Sequence, residues 1–247
     1  MKSRWLIPIV AFAAGVTWSA YNLRSAKVNA NSRSIVIDRD SIAYGRTYSE
    51  WSAAWEQWVD SIPASSHPLF DNGDCGTGQS GPVWFLGGKF CPNGEVCAYN
   101  NVVRSCTVPS EKALYFPILN SEDSAIEERL AENPGNPKFQ QISALRAGAE
   151  SNLTNPSVSC SVDGAAIPQL PERYRVQSTA FSFTLPAGNL WTSIYGTKFP
   201  EGTYFPGVDD GWFVMLAPLH PGNHVLQFKG VTKGSTINVK YNLNVSQ

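Results

Sequence analysis

Thr236-Ile237-Asn238-Val239-Lys240-Tyr241-Asn242-Leu243-Asn244-Val245 alternates polar and apolar residues without a break. Successive side chains of an extended chain point to opposite faces, so this stretch reads as a strand with one buried and one wet face. The preceding run His224 to Lys229, joined to it across Gly230 to Gly234, predicts a terminal antiparallel hairpin. From Val158 onward the pattern is β almost to the last residue.

Upstream of the hairpin, Leu219-His220-Pro221-Gly222-Asn223-His224 has the shape of the corner that leads into the penultimate strand of immunoglobulin-like sandwiches. His224 stands near the place of a tyrosine that bonds back to the backbone. The fold expected is mainly β (α+β): an antiparallel β-sandwich, immunoglobulin-like in its C-terminal half. Composition agrees, because 17 Pro and 20 Gly suit turn-rich β structure. Charged residues make up 16% of the 247, against about 25% in an average soluble chain, and 43% are hydrophobic. A core is affordable, disorder is not expected, and a formal charge of −1 offers nothing to nucleic acid.

The N-terminal half is read as more varied. Thr47-Tyr48-Ser49-Glu50 has the capping-box pattern that starts a helix. Trp51, Ala54, Trp55, Trp58, Val59 and Ile62 follow at helical spacing until Pro63, and such a stripe is expected to face the core rather than a ligand. Val83 to Leu86 and Val102 to Val108 read as a hairpin, and Ala113 to Leu119 as a third strand. Residues 121 to 153 read as a two-helix insertion at the surface, broken at Asn133 to Pro137, with Asn136 capping the second helix.

Lys2 and Arg4 precede an apolar run from Trp5 to Val16, and no acidic residue occurs before Asp38, the order of a secretory signal. Residues 1–30 are assigned to a signal peptide or N-terminal anchor, with cleavage the favoured reading and both Val28-Asn29-Ala30 and Thr17-Trp18-Ser19 open as its point, and residues 31–247 to one domain. Secretion, or a periplasmic or envelope location, follows. A membrane enters only if the leader is retained. Oxidising surroundings favour paired thiols. Cys91 and Cys97 bracket a short turn and are expected to bridge; Cys75, Cys106 and Cys160 allow three pairings, each leaving one thiol.

Sites of chemistry are sparse. Asp71-Asn72-Gly73-Asp74 gathers hard oxygen donors on a turn, which makes Asp71 and Asp74 candidate calcium ligands, although turn vocabulary explains the same letters. The adjacent carboxylates Asp209 and Asp210 must be relieved by hydrogen bonds or a cation. His67 reads as a satisfied loop histidine. No G-x-S-x-G, HExxH or phosphate-loop pattern occurs, so no catalytic residue is assigned and no cofactor beyond calcium is expected. Glycan hydrolysis needs only two carboxylates, for which Glu50, Asp60, Asp71 and Asp74 are the nearest candidates. The expected function is a non-enzymatic extracellular or envelope module whose partner is a protein or a glycan. The alternative is an extracytoplasmic hydrolase acting on glycans.

Tyr44-Gly45, the Trp51/Trp55/Trp58 helix, Gly78-Gln79-Ser80-Gly81-Pro82-Val83-Trp84-Phe85-Leu86, Cys106-Thr107-Val108-Pro109, Asp210-Gly211-Trp212 and Pro221-Gly222-Asn223-His224 together resemble a group of secreted bacterial proteins with no established activity. The resemblance covers most of the chain after the leader and implies a Cys75–Cys106 bridge, with Cys160 unassigned. Members of the group often carry cysteines near the positions of Asp123 and Gly148, both absent together in this chain.

Overall fold

A computed structural model describes residues 34–232 and 235–247; the leader, residues 1–30, lies outside them. Helix α1 (Tyr48–Asp60) begins with the expected capping box, Thr47 accepting from the Glu50 amide and Glu50 from the Thr47 amide. The three tryptophans of its stripe are buried, as are Val59 and Ile62. Ser52, Glu56 and Asp60, on another face of the helix, are buried too.

Among the described residues, ten strands follow in two five-stranded sheets. One sheet orders β1 (Val83–Phe85), β3 (Ala113–Ser124) and β8 (Gly202–Leu216), with β6 (Arg175–Gln177) and β7 (Phe181–Leu185) both on β8. The other runs β2 (Val102–Pro109), β10 (Ser235–Ser246), β9 (Gly222–Thr232), β4 (Ser157–Val162) and β5 (Ala165–Ala166). The terminal hairpin is β9–β10, with Tyr241 opposite Leu226. Phe116 of β3 stacks on Phe228 of β9, ring centroids 5.3 Å apart, so the two sheets share a core. Their backbones also meet: a Cβ on Gly230 would lie 2.7 Å from the Ile118 carbonyl oxygen. Only glycine permits that approach.

Four expectations are corrected. Val83–Leu86 and Val102–Val108 are not a hairpin: β1 pairs parallel to β3, and β2 parallel to β10, in different sheets. The sheets are therefore mixed rather than wholly antiparallel. The segment between these strands carries the chain from one sheet to the other, which a tight turn could not do.

The third strand does not stop at Leu119 but continues to Ser124, because Ser121 to Ser124 pair with Asp210 to Gly207 of β8. Pairing with β8 thus overrides the helical, polar appearance of these residues. Helix α2 (Ala125–Glu127) starts only then and passes into a π-helical turn at Glu128–Glu132. Asn136 caps a 3₁₀ turn at Pro137–Gln140, and α3 (Ile142–Ser151) follows. These helices are no surface excursion, since Ile126, Leu145 and Ala149 are buried. Short helices α4 (Leu170–Arg173) and α5 (Leu190–Tyr195) complete the chain.

Disulfides join Cys75 to Cys106 and Cys91 to Cys97, as an oxidising compartment outside the cytosol favours. Cys160 is a buried free thiol, and burial raises its pKa to about 12. Among the described residues no helix is long and apolar enough to cross a membrane.

Candidate functional site

The indole N–H groups of α1 hold three loops in place. Trp51 Nε1 donates to the Ala43 carbonyl at 2.8 Å, Trp55 Nε1 to Leu86 at 2.7 Å and Trp58 Nε1 to Thr77 at 3.1 Å. The glycine-rich stretch Gly76-Thr77-Gly78-Gln79-Ser80-Gly81 is thus one wall of a groove against the helix. Gln79 fastens it further, its amide nitrogen donating to the Cys75 and Phe85 carbonyls and its oxygen accepting from the Phe85 amide. At Gly78, φ is +70° and a Cβ would stand 3.1 Å from both Trp58 Nε1 and Ile62 Cδ1, so a side chain would force the wall outward. The Cys75–Cys106 bridge ties the same loop to β2.

The groove encloses about 400 Å³ and is lined by Tyr44, Arg46, Gln57, Trp58, Ser80 and Phe85, among others. Tyr44 and Gly45 form a two-residue turn closed by Ala43 and Arg46, with φ of 51° and 81°. Such turns ordinarily take Asn or Gly at the first of these positions, because a side chain strains a positive φ. Tyr44 nevertheless occupies it, the residue being 41% exposed. Arg46 lies over the Trp51 ring at 4.9 Å, and among the described residues its guanidinium makes no hydrogen bond or ion pair.

The acidic turn has other duties. Asp71 Oδ2 accepts from Lys89 at 2.6 Å and Oδ1 from Arg104 at 2.7 Å. Burial acts to raise its pKa, but the two cations hold it below the usual carboxylate range. Asp74 accepts from the Gly76 amide in its own turn. Both residues line a cavity of about 240 Å³ beside Arg104 and Tyr241, and Arg104 also donates to Gly87, Gly88 and the Tyr241 hydroxyl. Asp71 is thus already paired with cations, whereas Asp74 meets only a backbone amide.

Asp71, Asp74, His67 and Asp210 do not converge. His67 is fully buried against the rings of Trp58, Phe70 and Phe90, with Nδ1 accepting from the Leu69 amide. Burial lowers its pKa to about 4. Asp210 pairs with Arg175 at 2.9 Å and with Gln177, whereas Asp209 on the opposite face accepts from Ser52 and Asn120. The repulsion expected between these neighbours is relieved by different partners on the two faces of β8. His224 does bond back to the backbone, its Nε2 lying 2.9 Å from the His220 carbonyl, while Nδ1 meets Asp163 at 2.7 Å.

The sequence reading missed a second feature. The face of α1 carrying Ser52, Glu56 and Asp60 lies on Asn120 and Glu122 of β3 and Asp209 of β8, and Glu122 stands directly opposite Asp209. Asn120 Nδ2 donates to Glu56 at 2.9 Å and to Asp209 at 3.1 Å. Glu127 accepts from Ser124 at 2.7 Å, and the Tyr195 hydroxyl lies 3.0 Å away. Burial first, then the neighbouring carboxylates, raise Glu56 and Glu122 well above the ordinary range. Asp209 rises to about 7, chiefly through burial, although Ser52 and Asn120 oppose it. The 4-residue spacing of Ser52, Glu56 and Asp60 is the signal that could have revealed this face.

Comparison with family models, with curated proteins and with solved structures found no match.

Proposed function

We propose that the chain is an exported, non-enzymatic binding module of the envelope or extracellular space, its two sheets stacked as an immunoglobulin-like sandwich. It holds a glycan in the groove between α1 and the Gly76–Pro82 loop. The observation that carries this reading is Tyr44, an exposed ring kept at a backbone position that disfavours any side chain. Backbone strain of this kind costs of order 1–3 kcal/mol and persists where the side chain serves a purpose. A sugar face stacks on such a ring, Ser80 supplies a hydroxyl, and the unspent Arg46 guanidinium suits an acidic substituent. The walls are fixed before binding, which reduces the ordering cost of association.

The hydrolase alternative draws on Glu56 and Asp209, whose ionisation is disturbed as a catalytic pair requires. Both stand behind Asn120 at 2% and 1% exposure, however, and no substrate oxygen reaches them without displacing that side chain. Of the residues first considered for this role, Glu50 is committed to the helix cap and Asp71 to Lys89 and Arg104.

The test is calorimetric titration of the oxidised protein with a panel of neutral and acidic envelope oligosaccharides. Saturable binding that weakens tenfold or more in Tyr44→Ala, about 1.4 kcal/mol, is expected. Binding by peptides alone would replace the glycan with a protein partner. Equal affinity in Tyr44→Ala would remove the groove from the account.

A further inference from the structure

Residues 217–221 carry the chain from β8 of one sheet to β9 of the other, and one side chain fastens this corner. The His224 ring has both its nitrogens engaged: Nδ1 lies 2.7 Å from Asp163 Oδ2, and Nε2 lies 2.9 Å from the His220 carbonyl oxygen. Asp163 begins the Asp163-Gly164 turn between β4 and β5, with φ of 51° followed by 79°. Asp-Gly is ordinary in such a two-residue turn, but the turn itself asks nothing of His224. The other carboxylate oxygen, Oδ1, accepts from the Val225 amide at 2.8 Å, and the Asp163 amide donates to the Val225 carbonyl. The carboxylate is thus held against β9, beside the imidazole.

A carbonyl oxygen only accepts, and so does an ionised carboxylate, whereas a neutral imidazole carries one N–H and the imidazolium two. Both contacts are made at once only by the cation. A protonated Asp163 donating to Nδ1 is opposed by its surroundings: burial acts to raise its pKa, but His224 and the Val225 amide hold it below the usual carboxylate range. At His224 burial acts to lower the pKa, while Asp163 and the His220 carbonyl hold it above the ordinary value. Asp163 is the charged group beside the ring. The residue opposite on β10 is Leu243, the corner brings the carbonyl of the exposed His220, and among the described residues no further ionisable group acts on this titration.

We propose that His224 is a proton-operated latch: as the imidazolium it ties the crossover between the two sheets to the β4–β5 turn, and release of its proton lets the corner go. The neutral ring keeps a single N–H, which serves either Asp163 or His220 and never both. A histidine whose pKa is higher in the folded chain stabilises the fold fully below the unfolded value of about 6.5, and that contribution is lost as pH rises through the folded value. The corner is therefore fastened in acid and loosened in alkali. Leu219 is buried and holds the near side of the corner, whereas residues 220–223 are exposed and leave the far side to the latch.

The test follows the histidine ring nitrogens of the oxidised protein by NMR from about pH 5 to about pH 9, with the protection factors of the Leu219, His220 and Gly222 amides measured in parallel. His224 is expected to hold both ring protons up to a midpoint above about 6.5, and corner protection is expected to fall severalfold through that same midpoint. Asp163→Asn removes the charged partner and is expected to bring the midpoint down to the ordinary value or below it. His224→Gln cannot titrate and is expected to erase the step at the corner. A wild-type midpoint at or below about 6.5 overturns the proposal, and this measurement decides alone should a variant not fold. So does an unchanged midpoint in Asp163→Asn, or a corner step that survives in His224→Gln.

Discussion

Tyr44 and Asp60 stand at opposite ends of what a single residue discloses. Tyr44 occupies a turn position that asparagine tolerates far better. Tyr44→Asn is therefore expected to stabilise the chain by about 0.5–1 kcal/mol in denaturant melts while weakening the glycan complex. A loss of stability would mean that the ring serves packing instead. Local chemistry of this kind was partly legible: the Thr47/Glu50 cap and the backbone bond of His224 both follow from a few neighbouring letters. Asp60 was not legible as a buried group. Polar residues off an apolar stripe ordinarily face water, and only the arrival of β3 and β8 on that side reverses the inference.

Among the elements, α1 and the terminal hairpin were readable because their periodicities, 3.6 and 2, run unbroken over their length. Strands β1 and β2 were readable as strands but not as partners, since sequence adjacency favours a hairpin while both pair in parallel with distant strands. The end of β3 was hidden for the opposite reason: its acidic letters favour a helix, and only β8 holds them extended. The packing of α3 on β3 has a direct check. The Asp123 carboxylate lies against Gly148, in the space that a Cβ would need. Asp123→Cys/Gly148→Cys is expected to form a third disulfide when oxidised, stabilising the fold by about 2–4 kcal/mol. Two titratable thiols at these positions in the folded protein would show that the elements do not meet there.

For the whole molecule, the buried acids set the response to pH. Asp209, raised by burial to about 7, and Asp123, raised chiefly by burial to about 8, bind protons in the folded chain that the unfolded chain releases near pH 4. The folded state then holds more protons, so stability falls as pH rises from about 4 through 7 to 8, by about 1.4 kcal/mol per pH unit for each net proton. His67 acts in the other direction: buried and neutral, with its pKa lowered to about 4, it weakens the fold as pH drops below about 6.5. With chelator present, the melting temperature is expected to be higher at about pH 5.5 than at about pH 8. The reverse order would show that these acids are not held protonated when the chain is folded.

The groove itself is tested most directly by following the six described indole N–H signals, and the Tyr44 ring, by NMR while an envelope oligosaccharide is added. The account predicts that Tyr44, Trp51 and Trp58 shift together and saturably, while Trp191 and Trp212, buried elsewhere, stay in place. Shifts confined to Trp191 or Trp212, or none at Tyr44 under saturating ligand, would contradict it.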